Sequence, residues 1–418
     1  MRTLPHLAAV LAVSLPLAAL ASGGQPPAAP AGGAPCAPVK PCEVPAESAP
    51  AAAEAPAEFG AEAKLLYAVV SCSGAPLPRG VDAKVVAAFC AKQRPQIQAY
   101  RKGYLPKASA FLAGLRPAGL PTTVVYPFGG GDLLSALTTY PEARNVTTLS
   151  LEHAGDPRRL AAVKSAKTLA ESLEVIRQTS AGLLTQNDSK TENLMKGQRG
   201  EIPGQLAFFL TALAVHGYEP VSLRFFRVEP DGTLHYLTPS DIAASEKETA
   251  RLLRGQWVSP DFSPAFSNSE LVFVKRGEDP KLHARVHRHI AADLSDGALA
   301  KNPGILKHLA AKGRFVAMTK AASYLLWRAD FSGVRNVLLD RMVFMISDST
   351  GMPPGFARKA GFVQDTYGTF AKSYLPASTA VNADFVKLWS SQPRRVLPVR
   401  YGYLDGEHHY HLLVTRKP

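Results

Sequence analysis

The chain is poor in cysteine, methionine and tryptophan, with 4, 6 and 3 of them in 418 residues. It also lacks the short motifs of the commoner catalytic folds. No two cysteines stand in C-x-x-C spacing, which removes a thioredoxin-like redox centre and the usual zinc ribbons. H-E-x-x-H is missing, and with it the zincin helix. G-x-S-x-G is missing too, which disfavours the usual exported serine hydrolases. Past Leu20 no apolar run is long enough to cross a bilayer. Past Phe59 there is no second Pro/Gly-rich linker, and no internal repeat is visible.

What is present begins with a secretory pattern. Arg2 precedes an apolar stretch from Leu4 to Leu20, interrupted by Pro5, His6, Ser14 and Pro16. The interruptions leave it short of the ~20 clean apolar residues of a membrane-spanning helix. It closes on Ala19-Leu20-Ala21, the small-x-small pattern of a signal peptidase site. Residues 1–21 are therefore expected to be a signal peptide, placing the mature chain in the periplasm, the cell envelope or outside the cell. Residues 22–58 are rich in Pro, Ala and Gly and poor in large apolar side chains. Such a segment buries too little surface to offset chain entropy, so it reads as a disordered tether. Residues 59–418 are expected to form a single α/β domain.

Lys and Arg number 47 against 34 Asp and Glu, a formal charge of +13. A basic exported protein attracts anionic envelope polymers or lipid headgroups, and nucleic acid is not an expected partner. The basic pairs Arg158-Arg159, Lys275-Arg276 and Arg394-Arg395 are scattered, however, as on an ordinary solvated surface. The even cysteine count in an oxidising compartment favours disulfides. Cys72 with Cys90 and Cys36 with Cys42 are the favoured pairs, and crossed pairing is the alternative.

Along the domain, helical spacing runs from Val81 to Leu115 with a break near Gly103 and Pro106. Thr122–Tyr126 is a short β-branched strand, Pro127–Asp132 a glycine turn, Leu133–Tyr140 a helix and Val146–Leu151 a second strand. This is the signature of a βαβ unit in a mixed, largely parallel sheet with a Rossmann-like start. Leu160–Leu194 and Gln205–His216 read as helices. Three β-hairpins are expected to be appended: Val221–Val228 with Thr233–Leu237, Leu271–Lys275 with His283–Ala292, and Val399–Leu404 with His409–Thr415. Pro303–Ala311 is a helix, Arg314–Thr319 a strand, Ala321–Leu339 a helix broken near Asp330, and Met342–Ser347 a strand.

Chemistry is expected at the ends of strands, where open α/β sheets collect ligands. Gly129, Gly130 and Gly131 let the backbone approach a ligand, and the next helix aims free N–H groups at it. Asp132 is either a functional acid there or the cap of that helix. Glu152 and His153 end the following strand, where nucleotide-binding folds place an acid. Asp348 and Thr350 end a later one, and local turn bonds explain those two as cheaply. Asp132, Glu152 and Asp348 are thus the candidate acids or bases, with Gly129, Gly130, Gly131, His153 and Thr350 as ligand contacts. Strand alternation puts His283, Arg285, His287 and His289 on one face. His287 and His289 would suit a metal if a third ligand arrives from elsewhere. His409 and His411 repeat the spacing. The polar run Asn187–Asn193 is explained by a capping box, Ser189 with Glu192. No cofactor is specified by any of these patterns.

Taken together, Tyr126-Pro127-Phe128-Gly129-Gly130-Gly131-Asp132, Ser150-Leu151-Glu152-His153, Ala322-Ser323-Tyr324-Leu325 and Asp348-Ser349-Thr350-Gly351-Met352-Pro353 resemble a family of uncharacterised exported bacterial proteins, many of them lipoproteins. That family carries a YPFSGPD-like turn, where this chain has Gly129 for Ser and Gly130-Gly131 for Gly-Pro. The residues before Cys36, Gly33-Ala34-Pro35, are a poor lipobox. The resemblance, over about Val124 to Pro353, implies an envelope location and one undivided domain, and no activity. The expected function is binding of an anionic or small polar ligand at the Gly129–Asp132/Asp348 crevice. The alternative is an envelope hydrolase or transferase, metal-dependent if the histidines bind one.

Overall fold

The β-branched and aromatic stretches of the sequence become ten strands of one sheet. In this computed structural model they are β1 (Thr123–Pro127), β2 (Asn145–Ser150), β3 (Tyr218–Val228), β4 (Leu234–Tyr236) and β5 (Asn268–Lys275). β6 (Arg285–Ala291), β7 (Phe315–Thr319), β8 (Met342–Asp348), β9 (Val363–Gly368) and β10 (His411–Arg416) follow. The structure describes residues 54–186, 196–197, 200–252, 263–320, 322–348, 351–370, 380–401 and 411–418. The expected signal peptide, most of the tether, Cys36–Cys42, the run Asn187–Asn193, Thr350 and His409 lie outside the described residues.

The sheet order is β4-β3-β5-β6-β2-β1-β7-β8-β10-β9. Its five central strands, β6 to β8, are mutually parallel. The flanking pairs on both sides are antiparallel. The fold is therefore the expected mixed α/β sheet with a parallel centre, entered through β1, helix Leu133–Thr139 and β2. Side chains alternate between two cores, as a pleat with both faces covered requires. Val124 and Tyr126 join one core and Val125 the other. Val316 and Met318 follow Val124, whereas Phe315 and Ala317 follow Val125.

Two of the three expected hairpins exist, β3 with β4 and β5 with β6. They are not appendages, since β6 also pairs with β2 and so splices both into the main sheet. The third expectation is corrected: β10 lies between β8 and β9, and Tyr401 carries no strand. The long helical region runs through Pro95 as helix Ala83–Ala99, then makes a π turn at Tyr100–Tyr104 and continues as Leu105–Leu115 with Pro106 in its first turn. Pro106 has no N–H to donate into the preceding turn and crowds it, which accounts for the wider turn before it. Cys72 and Cys90 are bonded, tying the end of helix Gly60–Val70 to helix Ala83–Ala99. Residues 54–418 make one compact unit. Its first strand contacts form already at Ala57 and Phe59, whose N–H groups donate to Leu237 O and Leu223 O. Among the described residues no helix is long and apolar enough to cross a membrane.

Candidate functional site

β1 lies between β2 and β7, so the chain leaves it in opposite directions along the sheet. The crevice beyond the carboxyl ends of such strands is the usual ligand site of open α/β folds. Here the turn after β1 is built by backbone strain and missing side chains. Phe128 has φ +62° and Gly130 φ +48°, both in the left-handed region. A Cβ on Gly129 would sit 2.7 Å from the Tyr126 ring. The Gly129 N–H donates to Leu149 O at 3.0 Å, fixing the turn to β2. Glycine is needed at these positions for close approach, as the sequence predicts.

Asp132 caps its helix, one of the two roles the sequence offers it. Its Oδ1 accepts the Ser135 N–H at 3.0 Å and caps helix Leu133–Thr139. Its Oδ2 accepts the Tyr126 hydroxyl at 3.0 Å and the Lys320 ammonium at 3.2 Å. Lys320, just past β7, is fully buried, and it also donates to Ser135 Oγ at 2.6 Å. Asp348, the last residue of β8, is fully buried, and its carboxylate and carbonyl both accept from the Ser323 hydroxyl, at 3.2 and 3.0 Å. Sequence reasoning had missed Lys320, Ser135 and Ser323.

Glu152 and His153 follow β2 and are buried. The segment they begin lies against the start of helix Gly204–His216, where Leu206 N–H donates to Ala154 O. Two of the several buried polar groups without a well-formed hydrogen bond lie here. The Glu152 carboxyl, 2% exposed, meets the Ser150 hydroxyl and its own backbone amide without good hydrogen-bond geometry. Burial pushes its pKa up, against weaker opposing effects of Ser150, its own backbone amide and His153. The Gln205 side chain, 0% exposed, has no partner on its oxygen or its nitrogen. A Cβ on Gly131 would lie 2.5 Å from Gln205 Oε1, so this amide backs directly onto the glycine turn.

His287 and His289 both turn inward from β6 and are fully buried. Burial drives both pKa values down, that of His289 to about 4, so both rings are neutral. Their tautomers follow from the partners. His289 Nε2 faces Glu152 O at 2.7 Å and must donate to it. Its Nδ1 then accepts from Thr148 Oγ1 at 3.0 Å, and Thr148 Oγ1 accepts from His287 Nε2 at 2.9 Å. The Phe209 ring packs on both imidazoles. Of the four ring nitrogens this leaves the His287 Nδ1 lone pair alone without a donor, and among the described residues no group of three His, Cys, Asp or Glu could hold a metal. His283 does not share their face: it ends the short helix Pro280–His283 and is exposed. Arg285 instead donates to Pro141 O and Ala143 O.

At least one member of each basic pair is tied up locally. Arg158 bonds Asp156 and Glu246, Arg276 bonds Glu219, and Arg395 bonds Asp365. Fold and site define a mixed α/β protein with buried, hydrogen-bonded polar side chains gathered at the ends of its parallel strands. No protein-family model matches the chain, and no curated protein matches it.

Proposed function

We propose that this is an exported envelope protein that binds a small polar ligand in the crevice formed by Gly129–Asp132, Glu152, Gln205, Lys320 and Asp348. The observation that carries the reading is the buried, unpartnered Gln205 amide behind the glycine turn, with the poorly partnered Glu152 carboxyl beginning the segment that packs on the start of the same helix. Leaving such a group unmade costs about 1–3 kcal/mol, and proteins keep that cost mainly where a ligand or ordered water repays it. Lys320 is already neutralised by Asp132, so a bare anion finds no free charge among these groups. A ligand rich in hydroxyl or amide groups complements them better. The hydrolase or transferase alternative draws less support, because Asp132 and Asp348 already accept hydrogen bonds from the protein and only Glu152 lacks well-formed ones. Export is supported by the N-terminal pattern and by the Cys72–Cys90 disulfide, which persists in oxidising compartments.

The test exploits the cost of the empty site. Gln205→Leu and Glu152→Gln, made in the mature chain, should each abolish retention of small polar compounds, read by mass spectrometry of what denaturation releases. Gln205→Leu should also raise the stability of the emptied protein by about 1–2 kcal/mol, since it replaces an orphaned amide by an apolar isostere. A Gln205→Leu protein that unfolds more easily than wild type would show that the amide serves the fold, and the reading would fall.

A further inference from the structure

At the β9 side of the sheet a second cavity opens, of about 320 Å³, between the end of β9 and helix Ala380–Ser390. That size fits one or two fused rings, at the lower end of small-molecule sites. Its floor is apolar and aromatic. Phe370 and Trp389 are stacked, with centroids 5.1 Å apart and planes 18° from parallel, and Val386 beside them is 43% exposed. Large apolar side chains left open to water around a concave surface are the mark of a binding site rather than of ordinary surface.

The rim supplies charge of one sign. Arg395 is consumed, donating to Asp365, Gln392 and Thr366 O. Arg394, next to it, is exposed and donates to the Thr369 hydroxyl at 3.3 Å, and no carboxylate pairs with it among the described residues. A guanidinium has five donors in a fork that matches a carboxylate. We infer that this cavity binds a small planar ring bearing a carboxylate, the ring lying on Phe370, Val386 and Trp389 and the carboxylate meeting Arg394. A bare oxyanion would leave the floor wet, and an uncharged ring would leave the guanidinium unused. The site is independent of the crevice behind Gly131.

Indole-3-acetate is the probe, titrated calorimetrically into the full chain, with indole-3-acetamide as its uncharged counterpart. The acid should bind one equivalent, with a Kd below about 1 mM. The amide should bind on the order of tenfold more weakly, and Arg394→Gln should weaken the acid by a similar factor. Val386→Trp, at an exposed helix position, should fill the cavity and abolish binding, while Gln205→Leu should leave it unchanged. Absence of binding by the acid would overturn the inference. So would equal affinity for acid and amide, unaltered binding by Arg394→Gln, or unaltered binding by Val386→Trp.

Discussion

A methyl group on Gly131 would meet Gln205 Oε1 at 2.5 Å and Phe208 Cδ2 at 2.7 Å. Neither neighbour has room to retreat, since both are buried. Gly131→Ala should therefore cost about 1–3 kcal/mol, measured by urea unfolding, and should push the Gln205 amide out of its present position. This turn was legible in the sequence because glycine beside a β-branched strand has few other uses. Asp132 was legible for the same local reason, as a capping residue ahead of an apolar helix. Lys320 was not. It meets Asp132 across 188 positions of sequence, and nothing near it distinguishes it from any other lysine. Gln205 was hidden in the same way, inside a helix read correctly but with no sign that its side chain would lack a partner.

Among the elements, the antiparallel wing is laced by one carboxylate. Glu270 on β5 stands directly opposite Arg224 on β3 and Arg288 on β6. It bonds Arg224 at 2.7 Å and Arg288 at 2.7 Å, and Tyr236 of β4 donates its hydroxyl at 2.5 Å. Burial pushes the Glu270 pKa up, and Tyr236, Arg288 and Arg224 outweigh it, so the carboxyl is held below its usual range. Cross-strand pairs of opposite charge stabilise a sheet one neighbour at a time. This one joins four strands at a single, 2% exposed residue. Glu270→Gln should cost about 3 kcal/mol, because it leaves Arg288 partly buried without a counter-charge and Arg224 with Glu58 alone. Thermal unfolding would show it as a lower Tm with an unchanged folded spectrum. The strands themselves were legible from alternation and turn residues. Their neighbours were not, because a hairpin pattern says which strands are joined by a turn and leaves open what pairs on the far side. That is why β6 was read as half of an appendage and β10 as the partner of Val399–Leu404, of which the described residues 399–401 form no strand.

For the whole molecule, the neutral buried histidines set a dependence on acidity. His289 has its pKa lowered to about 4 and His287 has its own pushed well down, both by burial, against about 6.5 in an unfolded chain. Between those values the unfolded chain binds protons that the fold refuses, so these residues make stability fall as pH falls from about 6.5. Glu152 acts in the opposite sense, since its raised pKa lets the fold keep a proton that the unfolded chain loses above about 4.5. Near pH 5 the two histidines favour the unfolded state and Glu152 opposes them. Glu152→Gln should steepen the fall of Tm between pH 6.5 and 5, and a flatter profile would contradict the sign assigned to this carboxyl. Such coupling is invisible in the sequence, where the same histidines, alternating along a strand, look like metal ligands. The order of the strands carries a consequence for synthesis. β9 borders β10 and no other strand, and β10 separates it from β8. During translation β9 leaves the ribosome before the strand that will hold it, and the open edge of β8 faces the cell until His411–Arg416 has emerged. A chaperone or export partner that shields a bare strand edge would have its natural moment in that interval.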